Sequence, residues 1–195
     1  MLIDSFLLFQ ELDLLEIRLK YLYEYVDQFL IVESGQSFNG LKKSFNFEEN
    51  INRYKKYLKK IKYYKINDFH QSPSDVFRYL SRKRGNSKIL SLMNSHKHYD
   101  KEIMHWVLDS YHRECIHLAL DENCNPSDYV IVSDLDEIPS LNIIKNINKI
   151  AINEFPIVCK QFEFKYYLNS LNKDNWYGSI IAPHSKIKNK SLNIL

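Results

Sequence analysis

Short apolar runs alternate with longer segments of helical periodicity along this chain, and that alternation limits its possible folds more than any other feature. The apolar runs, which indicate buried strands, are residues 6–9, 28–34, 61–66, 128–133, 156–168 and 176–183. The segments with apolar residues at three- and four-residue spacing, which indicates helices, are residues 11–26, 48–60, 101–120 and 141–150. Strands that alternate with helices predict an α/β domain with a mostly parallel central sheet.

The length of 195 residues suits a single domain with its own hydrophobic core. We expect this domain to span residues 1–183. Residues 67–100 are polar and lack clear periodicity, so we expect them to form a mobile insertion. Residues 184–195 follow the last predicted strand, and we expect a tail that is either disordered or truncated.

Composition argues against several classes of protein. A net charge of +3 gives little attraction for nucleic acids or membranes, and the four glycines form no phosphate-binding loop. The three cysteines lack the spacing of a zinc site or a disulfide framework. No apolar run reaches the roughly 18 residues of a transmembrane helix. We therefore expect a cytoplasmic protein that is either free or attached peripherally to a membrane.

Three carboxylates follow the apolar run 128–133, because the sequence DLDEIP contains Asp134, Asp136 and Glu137. In open α/β sheets, ligands bind beyond the carboxyl ends of the strands. Carboxylates held close together near a buried strand need a counter-charge, and oxygen ligands favour Mg²⁺ or Mn²⁺ over zinc. Such an ion can hold a diphosphate as it leaves. The spacing therefore indicates a DxD-type metal site formed by Asp134 and Asp136.

Two other interpretations of this motif stay open. In the first, the carboxylates form a solvated turn before the helix that follows Pro139. In the second, VIVSDLDE is similar to the opening motif of haloacid-dehalogenase-like phosphatases, with Asp134 as nucleophile and Asp136 as acid or base. That motif normally lies near the N-terminus, whereas only 59 residues follow Asp136 here.

Three stretches, in this order, resemble glycosyltransferase family 17. The first is DSFLLFQELDLLEIRLKYLYEYVDQFLIVESGQSFNGLKK, residues 4–43. The second is WVLDSYHRECI, which is similar to the family's Trp-x-x-Glu-x-x-Gln-Arg helix, with Asp109 and His112 at the usual glutamate and glutamine positions. The third is VIVSDLDEIP, which is similar to its Asp-x-Asp-Glu-Ile-Pro element. The family includes the enzyme that adds bisecting GlcNAc to N-glycans.

The resemblance implies a GT-A-like fold and an inverting transferase that moves a sugar from a nucleotide donor to a glycan hydroxyl. The implied donor is UDP-GlcNAc and the implied ion Mn²⁺ or Mg²⁺. Asp136 would bind the metal directly, and Asp134 would contact it through water or contact the ribose. Glu33 and Ser34 end the predicted strand 28–34 and would face the nucleotide; alternatively, Glu33 caps a neighbouring backbone N–H.

Arg113 would neutralise donor phosphate, with Trp106 on the same helix face beside the donor. The alternative is that this face is solvated and that Asp109 and Arg113 form a plain i,i+4 pair. An inverting transferase also needs a base, and Glu163 and Asp174 are the downstream candidates.

The family's catalytic region normally continues into a Gly-Trp-His-containing stretch, whereas this sequence stops at Leu195. An alternative interpretation is therefore a truncated or non-catalytic relative that binds a glycan or a nucleotide. The membrane anchor of the animal enzymes is also absent from the sequence, which suggests a bacterial or viral origin.

Overall fold

The computed structural model of the chain describes residues 1–82, 86–97, 99–164, 167 and 169–193. Its six-stranded sheet consists of β1 (Leu2–Leu8), β2 (Gln28–Ser34), β3 (Ile61–Ile66), β4 (Tyr129–Ser133), β5 (Ile157–Gln161) and β6 (Trp176–Pro183). The strands lie in the order β3-β2-β1-β4-β6-β5. The first four in this order are parallel, and β6 runs antiparallel to both β4 and β5. The predicted α/β domain with a mostly parallel sheet is confirmed.

Helices cover both faces of the sheet. The α-helices are α1 (Leu12–Leu22), α2 (Asn46–Glu49), α3 (Pro73–Arg82), α4 (Ser87–Ser95), α5 (Met104–Glu114), α6 (Ile116–Asn123), α7 (Leu141–Asn146) and α8 (His184–Ile187). Short 3-10 turns occupy Ile51–Tyr54, Leu58–Lys60, Ile147–Lys149 and Ile152–Glu154. None of the helices within the described residues has both the length and the apolar character that a membrane span requires.

The core has two layers because successive strand residues point to opposite faces of the sheet. On β2, Leu30 and Val32 pack in the cluster that contains the apolar residues of α3 to α6. Phe29 and Ile31 pack in the other cluster, with the apolar residues of α1, α2 and α7. Burial on both faces explains why the central strands are continuous apolar runs rather than alternating ones.

Several predicted elements have different bounds in the structure. The strand predicted over 6–9 is β1 and begins at Leu2, and the helices predicted over 11–26 and 141–150 end at Leu22 and Asn146. The helix predicted over 48–60 is replaced by α2 and two 3-10 turns, because the Asn50 side chain bonds back to the Asn46 carbonyl (2.8 Å) and competes with helix continuation. The helix predicted over 101–120 breaks at Cys115, where a 3-10-type bond runs from Leu118 N to Cys115 O (3.0 Å).

The strand predicted over 156–168 ends at Gln161. The β5–β6 register shifts between Val158 and Lys160, and such an irregularity bends a strand and increases its twist. Beyond it, an isolated bridge pairs Phe164 with Leu171. Residues 165, 166 and 168 of that prediction lie outside the described residues.

The segment 67–100 contains α3 and α4 instead of the irregular chain that its polar composition suggested. Val76 and Leu80 on α3, and Ile89 and Met93 on α4, are buried in the core. Each helix thus places two apolar residues four positions apart on one face, a pattern that the surrounding polar residues hid. Residues 83–85 and 98 lie outside the described residues, and the mobility of this segment stays a prediction.

The predicted tail begins with α8 and then runs along α5. The buried carboxylate of Glu114 accepts hydrogen bonds from the Ser191 hydroxyl, the Leu192 N–H (3.3 Å) and the Asn193 side chain (2.8 Å). Residues 184–193 therefore pack against the domain, and the last two residues of the predicted tail, 194 and 195, lie outside the described residues.

Candidate functional site

The carboxyl ends of β1 and β4 enclose the crevice cavity, the candidate site. β1 connects through α1 to β2 on one side, and β4 lies on the other side of β1. Open α/β sheets bind ligands at such a switch in strand order. The cavity there has a volume of about 230 Å³ and apolar walls that include Phe9 and Phe38. Its polar lining is Glu11, Asp109, Arg113, Asp134 and Asp136.

Arg18 on α1 holds the acidic loop, which we define as residues 134–138. Its Nη1 donates to the carbonyl oxygens of Asp134 (2.7 Å) and Leu135 (3.0 Å). Its Nε and Nη2 donate to the two carboxylate oxygens of Asp4 at 2.9 and 2.7 Å, and both side chains are fully buried. The Arg18 guanidinium therefore fixes the path of the loop backbone while it neutralises Asp4.

Sequence reasoning missed this role, although a signal for it exists. Arg18 lies on the buried stripe of α1, between Leu15 and Leu22. A charged residue at such a position must have a buried partner, and Asp4 is the only charged residue of the buried strand β1. The pairing of Asp4 with Arg18 was thus predictable, but the bonds to the acidic loop were not.

Glu137 connects the acidic loop to β6. Its Oε2 accepts a hydrogen bond from the Asp134 N–H (3.0 Å), and its Oε1 accepts one from the indole N–H of Trp176 (2.8 Å). Gly178 leaves room for this carboxylate, because a Cβ there would lie 2.9 Å from Glu137 Cδ. Burial, together with the charges of Asp134 and Asp136, raises the pKa of Glu137.

Gln161 and Ser179 complete the attachment of the acidic loop to the β5–β6 pair. The Gln161 side chain donates to the Ile138 carbonyl (3.1 Å) and accepts from the Ser179 N–H (2.9 Å). The Ser179 hydroxyl donates to the Glu137 carbonyl (2.6 Å). The loop is thus held by α1 on one side and by β5 and β6 on the other, so its shape is set before any ligand arrives.

Arg113 on α5 contacts the acidic loop through a side chain rather than the backbone. Its two terminal nitrogens lie 3.0 and 3.3 Å from the two carboxylate oxygens of Asp134. Asp109 lies 3.7 Å from the same guanidinium. Asp109 and Arg113 line the crevice cavity, and they also form the i,i+4 pair of the alternative interpretation.

The charges around Arg113 shift the pKa values of these groups. Burial alone would lower the pKa of Arg113, but the charges of Asp134 and Asp109 outweigh burial and raise it. Burial, helped by the negative charge of Asp134, raises the pKa of Asp109 despite the nearby guanidinium. Asp109 is therefore a carboxylate of increased basicity inside the crevice cavity.

Asp136 is the carboxylate of the acidic loop that stays available. Its side chain is exposed, and the carboxylate forms no hydrogen bond or ion pair with the parts of the chain that the structure describes. It borders both the crevice cavity and a larger lateral groove of about 750 Å³. The lateral groove runs along the edge strand β5, between Ile17 on α1 and Ile143 on α7.

The acidic loop fits a cation only if a ligand supplies further oxygens. Within the described residues, no group of three or more histidine, cysteine, aspartate or glutamate side chains could hold a metal ion. Asp136 is free, whereas Asp134 already has Arg113 as its counter-charge. Mg²⁺ is commonly bound by one or two carboxylates plus substrate phosphates and water. The two aspartates match that pattern. Within the described residues they do not form a site in which protein side chains alone surround the ion.

Glu33 takes the second of the two roles that the sequence allowed. Its buried carboxylate accepts hydrogen bonds from the N–H groups of Asn46 (2.7 Å) and Phe47 (3.1 Å) at the start of α2. Lys43 (2.7 Å) and the Tyr63 hydroxyl (2.8 Å) also bond to it. These partners occupy both oxygens, so Glu33 stabilises the fold around the start of α2. Glu33 does not line the crevice cavity.

The other predicted site residues lie outside the crevice cavity. Ser34 is buried, and its hydroxyl accepts the Gln36 N–H at 3.0 Å. Trp106 is 47% exposed and packs on the ring of His105 instead of lining the cavity. Glu163 bonds to the Asn172 side chain, and Asp174 is exposed. Neither candidate base lines the crevice cavity or the lateral groove.

Comparison with known proteins gives one match. The family model described as Glycosyltransferase family 17 matches residues 1–98, which include β1, α1, β2 and Arg18. The match ends before α5 and the acidic loop. No curated protein and no solved structure gave a match.

Proposed function

The chain belongs to glycosyltransferase family 17, and from that premise we propose that it transfers a sugar from a nucleotide donor to a glycan hydroxyl at the acidic loop. The observation that carries this proposal is the position of Asp136. It is a free carboxylate at the boundary between two cavities, on a loop whose backbone is fixed by Arg18, Gln161 and Ser179. A transferase needs such a boundary, because its donor and acceptor must meet at one point.

We place the nucleotide in the crevice cavity. Phe9 and Phe38 stack there with ring centroids 5.6 Å apart, and both rings line the cavity. A nucleobase and a ribose would pack against these apolar walls, while the diphosphate would extend toward Arg113. The guanidinium would then be shared between Asp134 and phosphate, which suits its planar, multi-donor geometry.

Asp136 would bind the divalent cation directly. Asp134 would contact the cation through a water molecule, because it is paired with Arg113. When bound, Mn²⁺ or Mg²⁺ would neutralise the negative charge that develops on the leaving diphosphate. Glu137 accepts the Asp134 N–H and so helps to fix the backbone of the loop at Asp134. UDP-GlcNAc is the donor we propose, and inversion is the proposed stereochemical outcome.

The acceptor would approach from the lateral groove. The groove is larger than the crevice cavity, and Asp136 is common to both. Asp109 lines the crevice cavity rather than the groove, so it is placed to contact the donor side. Glu163 directly follows Phe162, which lines the groove, and for that reason we favour it over Asp174 as the base.

Donor hydrolysis tests this proposal without a known acceptor. Purified protein is incubated with UDP-GlcNAc, other UDP-sugars and GDP-sugars, with Mn²⁺ or with EDTA, and released nucleotide is quantified. We expect slow metal-dependent release from UDP-GlcNAc that falls at least tenfold in Asp136→Asn. Asp13→Asn is the matched control, because the side chain of this aspartate is 88% exposed and lines neither cavity. Absence of release from every donor, by a folded protein, would contradict a working transferase and favour the non-catalytic relative.

A further inference from the structure

The β5–β6 pair brings exposed aromatic side chains to the same edge of the sheet as the acidic loop. β6 runs antiparallel to β4, so Trp176 at its start lies on the side of the sheet where β4 ends. β5 ends on that side too, since Gln161 pairs with Trp176. Phe162, Trp176 and Tyr177 are all exposed there. Exposed apolar side chains that share one edge of a sheet are candidates for a binding surface.

Trp176 differs from the other two rings because its orientation is fixed. Its indole N–H donates to Glu137 Oε1 at 2.8 Å, and the second oxygen of Glu137 accepts the Asp134 N–H at 3.0 Å. One carboxylate therefore links the indole directly to the acidic loop. The only polar atom of the ring is satisfied, yet 43% of the residue remains exposed. What remains available is an apolar ring that Glu137 holds against the acidic loop.

The polar groups around this ring are mostly carboxylates and amides. Glu137 accepts the indole N–H, Asp136 precedes Glu137 in the acidic loop, and Gln161 pairs with Trp176 in the β5–β6 ladder. Hydroxyl groups can donate to all of these acceptors. The same carboxylates repel the phosphates of an anionic membrane or a nucleic acid.

A pyranose ring combines an apolar face of C–H groups with a rim of hydroxyls, so it complements a fixed indole surrounded by carboxylates. An indole buries a large apolar area at small entropic cost when its orientation is already set. We propose that Trp176 is the stacking platform for a sugar ring of the acceptor, adjacent to the acidic loop. This inference rests on the proposed transferase function, and it names the residue that positions the acceptor.

The hydrogen bond to Glu137 has a second consequence. A sugar that stacks on Trp176 is positioned relative to Glu137, the carboxylate that also accepts the Asp134 N–H. Acceptor position and the acidic loop are then linked through one side chain. Arg18, Gln161 and Ser179 still hold the loop when the ring is lost, so acceptor affinity should fall while donor binding stays intact. This separation makes the proposal testable apart from the donor site.

Fluorescence gives a direct readout, because the chain contains two tryptophans and Trp106 is the other one. Trp106→Phe leaves Trp176 as the sole tryptophan. Wild-type protein is first screened on an array of mannose-, galactose- and N-acetylglucosamine-terminated oligosaccharides, with UDP and Mn²⁺ present. A retained oligosaccharide is then titrated into Trp106→Phe. We expect a saturable change in tryptophan emission.

Substitutions then separate stacking from general packing. Trp176→Ala is expected to weaken oligosaccharide binding at least tenfold and to leave the Kd for UDP within twofold of wild type. Trp176→Phe keeps an aromatic ring without the N–H, so an intermediate loss is expected. Tyr177→Ala is the matched control, because this neighbouring ring is 61% exposed and forms no bond to Glu137; its affinity is expected within twofold.

Three results would overturn the proposal. They are equal oligosaccharide binding by Trp176→Ala and wild type, retention of no oligosaccharide by a wild type that binds UDP, and Trp176-dependent binding to vesicles of anionic phospholipid instead. Failure of UDP binding in wild type would overturn the proposed transferase, and with it the acceptor role. Parallel UDP titrations therefore tell the two failures apart.

Discussion

Two arginines hold the acidic loop from opposite faces of the sheet, and their surroundings differ sharply. Arg18 and its partner Asp4 are fully buried, whereas Arg113 and its partner Asp134 keep 26% and 43% of their side chains exposed. Arg18 bonds to loop carbonyls, while Arg113 bonds to a loop carboxylate. The first arginine fixes the backbone, and the second faces the cavity where a ligand would enter.

The contrast teaches how one loop can be both rigid and responsive. A buried pair cannot exchange its partner for a ligand, because the abandoned charge would remain in a medium of low dielectric. A half-exposed pair can rearrange, because water or a ligand phosphate replaces the lost contact. The acidic loop therefore keeps its shape through Arg18 and can share Arg113 with a ligand.

The largest effect is expected at Arg18. Arg18→Met leaves the Asp4 carboxylate buried without a partner and removes the donor to three loop carbonyls, so the free energy of unfolding should fall by about 3–5 kcal/mol. Urea unfolding measures this loss. Arg53→Met is the control, because Arg53 pairs with Asp13 and Glu16 at the protein surface and should barely shift the midpoint. If Arg18→Met lost no more free energy of unfolding than Arg53→Met, the buried Arg18–Asp4 pair would not be the rigid anchor that the comparison requires.

The attachment on the β6 side should be the next most sensitive. In Gly178→Ala the new Cβ would lie 2.0 Å from Gln161 Oε1 and 2.9 Å from Glu137 Cδ, and both side chains are held by hydrogen bonds. We expect a loss of about 1–3 kcal/mol in the free energy of unfolding, as for other overpacked sites. Donor hydrolysis should fall with it, since Glu137 must move.

A double variant sharpens this prediction. Gly178→Ala combined with Gln161→Ala removes the closest contact, so part of the stability should return. Wild-type stability and wild-type hydrolysis in Gly178→Ala alone would show that Glu137 does not position the loop.

The pH dependence of the free energy of unfolding reports on the buried side of α5. His112 lies next to Arg113 but is buried, and burial lowers its pKa to about 3. An unfolded histidine titrates near pH 6.5, so the unfolded chain binds the proton first as pH falls. The stability contribution of His112 is complete above about pH 6.5 and is lost progressively below it, by about 2 kcal/mol at pH 5.

His112→Gln removes this titration and should make the loss of stability between pH 7.5 and 5 smaller by about 2 kcal/mol. Thermal or urea unfolding at the two pH values measures the difference between the variant and wild type, so contributions from other groups cancel. Parallel pH profiles would show that His112 is not held neutral in the fold.

The smallest effect on stability, and a large one on activity, is expected at Arg113. Arg113→Met should change the free energy of unfolding by about 1 kcal/mol or less, because both partners of its ion pair reach solvent. Donor hydrolysis should fall at least tenfold, and Arg113→Lys should recover only part of it, since the bidentate geometry is lost. A stability loss equal to that of Arg18→Met, with normal hydrolysis, would reverse the roles of the two arginines.

The sheet could be predicted because its strands carry continuous apolar runs, a local signal that survives in one sequence. The acidic loop could also be located, since Asp134 and Asp136 directly follow such a run. The anchors of the loop could not, because Arg18 and the loop are 116 residues apart and Trp176 and Glu137 are 39 apart. Periodicity carries no information about contacts at those distances.

The prediction for Glu33 shows the same limit. A carboxylate at the end of a buried strand suits a ligand and a helix N-terminus equally well. Only the position of α2, which places the Asn46 and Phe47 N–H groups beside it, decides between them. The predicted role of Arg113 depended likewise on where α5 lies, and the structure places its polar face on the crevice cavity.

Ligand-induced stabilisation tests the central claim most directly, namely that the acidic loop holds a nucleotide donor through Asp136 and a divalent cation. The free energy of unfolding is measured with UDP, with and without Mn²⁺, for wild type and Asp136→Asn. UDP at 100 times its Kd should stabilise wild type by about 2.7 kcal/mol with Mn²⁺ present. The stabilisation should disappear without the ion or in Asp136→Asn. Equal stabilisation of the variant and wild type, or none in wild type at any UDP concentration, would contradict the claim.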